Sequence, residues 1–152
     1  MELGMTYAVL GAALAVILSG TGSAIGLRRT GLVISGILRE NPERWGSLFL
    51  LAFLPATQGL YGFLIAFMVL IMGGLEAGLP TADGLQILLT CLPVAINGLI
   101  TAPIQGAVSA AAAETVAVRP DQTGRGLMLA AFIEFYAILG MVISFLYIIM
   151  AP

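Results

Sequence analysis

The sequence predicts an all-α membrane protein: four transmembrane helices that form a duplicated helical hairpin and assemble into a two-layer ring. Three observations predict it. The composition is too apolar for a water-soluble surface, four long apolar stretches alternate with proline- and glycine-marked breaks, and the two halves of the chain resemble each other. Of 152 residues, 60% are hydrophobic and only 9% charged, against about a quarter charged in an average soluble domain. There is no histidine and a single cysteine, Cys91. Neither a disulfide framework nor a metal site built on imidazole or thiolate is therefore available.

The first apolar stretch is Met5–Leu27. It lacks a basic head and exceeds the roughly 7–15 apolar residues of a cleavable leader, so it reads as a retained helix. At 1.5 Å per residue it reaches about 35 Å, enough to cross a hydrocarbon core of about 30 Å. Gly46–Gly74, about Leu85–Val118, and Gly126–Met150 follow. The breaks are Glu40–Arg44, Glu76–Asp83 with Pro80, and Arg119–Gly124; their prolines and glycines suit turns. Helices are the expected form, because lipid offers an open chain no other way to satisfy its backbone. Between Arg28 and Pro42, and between Pro103 and Pro120, no breaker interrupts the chain, so the first and third helices are expected to continue beyond the bilayer.

All six basic residues are arginines, at 28, 29, 39, 44, 119 and 125. They cluster around the first and third breaks, whereas the second break and the ends carry Glu2, Glu76 and Asp83. An excess of arginine marks the cytoplasmic side. This predicts a multi-pass cell-membrane protein with segments 28–45 and 119–125 in the cytoplasm and both termini outside.

Pro42–Met72 lies on Pro120–Met150 without a gap, and this register matches Gly46 to Gly124, Gly62 to Gly140 and Phe67 to Phe145. Two parallel copies of one hairpin result, 1–78 and 79–152, related by an axis along the membrane normal. Glu134 falls opposite Ala56, so only one copy carries a carboxylate there. Side-chain size is also unevenly distributed. All seven phenylalanines lie in the second and fourth stretches. The first and third carry small-residue stripes instead, from Gly4 through Ala15 to Gly26 and from Ala95 to Ala113. Small residues let backbones approach where lipid gives no hydrophobic reward. Slim helices inside and bulky ones outside make the two layers of a ring.

Glu134 is the one ionisable side chain well inside the apolar stretches. A charge at that depth costs about 3 to more than 10 kcal/mol, and such groups mark ion or proton paths. Leu54, Thr57 and Gln58 straddle the same depth and share one helical face with Tyr61, and Pro55 leaves the Leu51 carbonyl without its helical donor. Gln105 adds an amide from the third helix, at a depth the spacing fixes only to about one and a half turns. A hydroxyl, two amide oxygens, a backbone carbonyl and one carboxylate suit a small, hard, monovalent cation. A proton would need only the carboxyl group and one acceptor.

Leu54-Pro-Ala-Thr-Gln-Gly-Leu-Tyr-Gly-Phe63, with Gln105-Gly106, Glu134-Phe-Tyr-Ala-Ile-Leu-Gly140 and Ser19-Gly-Thr-Gly-Ser-Ala-Ile-Gly26, resembles the proteolipid (K or c) subunit of V-type and archaeal-type rotary ATPases, most closely the sodium-translocating bacterial branch. The likeness covers essentially the whole chain. It implies a non-catalytic rotor ring of identical copies, turned against a stator membrane subunit bearing an arginine. It implies Na⁺ ligands at Leu54 (backbone oxygen), Thr57, Gln58, Gln105 and Glu134, with Tyr61 bonding the carboxylate. Pro103 departs from the family pattern and puts the placement of Gln105 in question. The arginine-bearing loops would meet the central stalk, although membrane topology explains those arginines equally well. ATP chemistry belongs to other subunits: the chain has no lysine and no phosphate-binding G-x-x-x-x-G-K-[ST] loop. Alternatives are a proton-carrying ring using the same Glu134 and, more weakly, a small multidrug-type exporter, which would lack the duplicated hairpin.

Overall fold

In the computed structural model, which describes residues 3–72, 75 and 78–150, four long helices run through the described chain. They are α1 (Gly4–Glu40), α2 (Trp45–Met72), α3 (Thr81–Val118) and α4 (Thr123–Met150). Single 3₁₀ turns, Pro42–Arg44 and Pro120–Gln122, lead into α2 and α4. Each turn has proline where a missing N–H does no harm. All four helices are long and apolar enough to cross a membrane.

The layout follows the expectation, with two adjustments at helix starts. Asp83 lies in the first turn of α3 rather than in a break, where its charge complements the helix dipole. The third break is shorter than its glycine suggests: α4 begins at Thr123, whose hydroxyl donates to the Pro120 carbonyl at 2.8 Å. The end of the second apolar stretch beyond Met72, together with Glu2 and Glu76, lies outside the described residues. At 37 and 38 residues, α1 and α3 reach about 55 Å, well beyond a bilayer core.

The small-residue stripes face each other. Gly4, Gly11, Ala15, Ser19, Gly22 and Gly26 of α1 are buried, as are Ala95, Gly98, Ala102, Gly106, Ser109 and Ala113 of α3. A methyl group on Gly22 would overlap the Gly98 carbonyl, and one on Gly106 would overlap Gly26. The two backbones thus touch with nothing between them. Conversely, every phenylalanine on α2 and α4 is at least 38% exposed, which puts the bulky rings on the outside of the bundle. Thr30 strengthens the α1–α3 contact: its hydroxyl lies 3.1 Å from both the Gly26 and the Gly106 carbonyl.

Candidate ion-binding site

Glu134 is buried on α4 although its neighbours Phe132, Phe135 and Tyr136 are exposed. It therefore sits on the narrow inward face of an otherwise outward-facing helix, eleven positions into α4 from Thr123, or about 16 Å along its axis. The carboxylate meets three side chains. Thr57 Oγ1 lies 2.6 Å and Tyr61 Oη 2.5 Å from Oε1. Gln105 donates from Nε2 to Oε2 at 2.6 Å and to the Ala130 carbonyl at 3.1 Å.

The remaining expected residues lie one bond further out. Thr57 Oγ1 is 2.7 Å from the Leu54 carbonyl oxygen, so hydroxyl, backbone oxygen and carboxylate are contiguous. Gln58 is fully buried and donates from Nε2 to Gln105 Oε1 at 3.0 Å. All six residues singled out in the sequence therefore belong to one connected cluster between α2, α3 and α4. Pro103 does not displace Gln105: α3 stays helical across it, and Gln105 is fully buried against Glu134. Beside Pro55, which α2 accommodates inside the helix, the Gly59 N–H donates to Ser23 Oγ of α1 at 2.7 Å.

One further member comes from the structure alone. Thr101, one turn before Gln105 on α3, donates to Gln58 Oε1 at 2.6 Å and also lies 2.7 Å from the Asn97 carbonyl. The polar groups thus form a directional chain: Thr101 hydroxyl to Gln58 carbonyl oxygen, Gln58 amide to Gln105 carbonyl oxygen, Gln105 amide to Glu134. The spacing of four between Thr101 and Gln105 is the one signal of it in the sequence. A threonine that can bond its own helix gives no sign there of a second partner.

The family model for the C subunit of ATP synthase matches residues 10–69 and again 88–147. The chain belongs to that family. The second match is displaced from the first as the second hairpin is from the first, setting position 10 on 88 and 69 on 147. The chain is 43% identical over 148 residues to V-type sodium ATPase subunit K of Enterococcus hirae, covering 97% of this chain and 94% of that protein. It is also 32% identical to A-type ATP synthase subunit K of Methanocaldococcus jannaschii, over 93% of this chain and 95% of that one. As a member of this family, it is a multi-pass, non-catalytic membrane subunit of a rotary ATPase.

Proposed function

We propose that this chain is the ion-carrying rotor-ring subunit of a V-type or archaeal-type rotary ATPase, and that its cargo is Na⁺, bound at Glu134. The observation that carries the reading is the convergence of Leu54, Thr57, Gln58, Tyr61 and Gln105 on one buried carboxylate. A proton needs no such set of oxygens, whereas Na⁺ without its water does. The likeness to a sodium ATPase subunit supports the same choice.

Glu134, Thr57 Oγ1, the Leu54 carbonyl and the two glutamine carbonyls are the oxygens that would hold Na⁺, with Tyr61 steadying the carboxylate. For both amide oxygens to face the ion, the two carboxamides turn over, exchanging nitrogen for oxygen. With one ion on one carboxylate the site is neutral overall, which suits passage along lipid. An arginine on the stator subunit would compete for the carboxylate and displace the ion, coupling ion movement to rotation. The hairpins 1–78 and 79–152 are its two structural units. The arginine-rich segments 28–45 and 119–125 face the cytoplasm and the central stalk, with both termini on the opposite side.

Carbodiimide labelling of Glu134 tests the cargo. Na⁺ at 100 times its dissociation constant is expected to slow the reaction roughly 100-fold, since only about 1% of sites stay free; K⁺ at equal ionic strength should not. Labelling that is indifferent to Na⁺ at every concentration assigns a proton cargo instead.

A further inference from the structure

The polar cluster around Glu134 draws on α2, α3 and α4, and α1 supplies none of its groups. Yet α1 meets α2 closely at this level, on both sides of Thr57. On one side, a methyl group on Gly26 would come within 2.9 Å of Pro55 Cβ, and Pro55 is fully buried. On the other, a methyl group on Gly59 would come within 3.1 Å of Ser23 Oγ and 3.4 Å of Gly20 Cα. The stretch between Pro55 and Gly59 is thus braced at both ends by α1.

One of these braces is polar. The Gly59 N–H donates to Ser23 Oγ at 2.7 Å, and among the described residues this is the one hydrogen bond between α1 and α2. It falls where α2 is weakest. Pro55 has no N–H for the Leu51 carbonyl, and the ordinary acceptor for Gly59 N–H is the carbonyl of Pro55 itself. Two successive rungs of the α2 ladder are therefore missing or shared, and a hydroxyl from outside the helix takes part in the second. The second hairpin shows what glycine contributes here. Ser23 corresponds to Thr101 and Gly59 to Ala137 in the repeat register, so alanine places a methyl group where Gly59 leaves room. The Thr101 hydroxyl turns instead to Gln58 and the Asn97 carbonyl.

Resting on the Na⁺ site described above, we infer that Ser23 is a positioning residue of that site. Its hydroxyl holds the proline-loosened stretch of α2 at the level of Glu134. The Leu54 carbonyl and the Thr57 hydroxyl, which lie 2.7 Å apart, then stand in place before an ion arrives. Ordering those oxygens in advance removes a cost that binding would otherwise carry. Ser19 offers an internal comparison. It lies one turn from Ser23, is equally an interior serine of α1, and donates to the Val94 carbonyl of α3 at 3.1 Å, away from every group on Glu134.

Equilibrium binding of radioactive Na⁺ to the purified protein, with thermal midpoints measured alongside, tests the role. Ser23→Ala should weaken Na⁺ binding roughly fivefold, the equivalent of one neutral hydrogen bond. Ser19→Ala also loses a buried hydrogen bond, and should lower the thermal midpoint comparably while leaving Na⁺ affinity within about twofold. Gly59→Ala provides a second route, because it keeps the hydroxyl and presses a methyl group against it. Alanine favours a helix interior, so this variant should bind Na⁺ more weakly without being less stable, a combination that loosening of the bundle does not produce. Should Ser23→Ala fail to assemble, Gly59→Ala decides alone. Wild-type affinity in Ser23→Ala, or in Gly59→Ala, overturns the positioning role. So does an equal loss of affinity in Ser19→Ala and Ser23→Ala, which would mark general loosening. In each of these cases the wild type still binds Na⁺ and the site reading stands. A wild-type protein that binds no Na⁺ overturns the cargo reading, and the role of Ser23 with it.

Discussion

Replacing Glu134 by glutamine is expected to lower Na⁺ affinity at least about 100-fold and to stop ATP-driven Na⁺ transport in the assembled enzyme. Glutamine has nearly the same shape and can still accept hydrogen bonds from Thr57 and Tyr61, which meet one carboxylate oxygen. What disappears is the one negative charge. Taking a cation out of water into this depth without a counter-charge costs several kcal/mol. A loss of about 1.4 kcal/mol is already tenfold in affinity. The amide now facing Gln105 Nε2 is a smaller loss, because a carboxamide can turn over. Radioactive Na⁺ binding to the purified variant, with native mass spectrometry to confirm that the oligomer is intact, checks the expectation. An intact oligomer that binds Na⁺ as wild type does would remove Glu134 from the ion path.

The fold is largely legible in the sequence because its signals are local. Apolar length, proline position and arginine placement each act within a few residues, and the helices begin and end near where those signals lie. The exceptions are also local. Asp83 reads as part of a break because charge usually marks one, yet an acidic residue is welcome in a helix's first turn. Gly124 reads as a breaker, whereas α4 passes through it after a single 3₁₀ turn.

The site is legible for a different reason. The internal repeat sets α2 and α4 at a common depth, and Glu134 then selects Thr57, Gln58 and Tyr61. Nothing comparable aligns α3, because its counterpart is α1, which carries Leu27 where α3 has Gln105. The sequence therefore leaves the depth of Gln105 loose and gives Thr101 no role. The second partner of Thr101, Gln58, becomes visible only once two helices are packed in register. Inter-helix geometry, set by backbone contact between glycines, is the layer that a one-dimensional pattern does not contain.

That layer predicts the second large effect. Gly22→Ala is expected to destabilise the bundle by about 1–3 kcal/mol or more, the cost of overpacking a tight contact, and to lower its thermal midpoint in detergent. The added methyl would lie against the Gly98 carbonyl and Leu99 Cα, which are helix backbone and cannot rotate away. Relief requires α1 and α3 to separate along their shared stripe, and the same separation would move Gln105 relative to Glu134, so Na⁺ binding should weaken as well. Gly36→Ala is the counterpart. A methyl at Gly36 meets nothing within 4 Å, and alanine favours a helix interior over glycine by about 1 kcal/mol, so that variant should be as stable as the parent or more so. Equal behaviour of the two variants would mean that the glycines serve helix propensity alone. A loss confined to Gly22 means that backbone contact between α1 and α3 holds the bundle, and through it the position of the ion site.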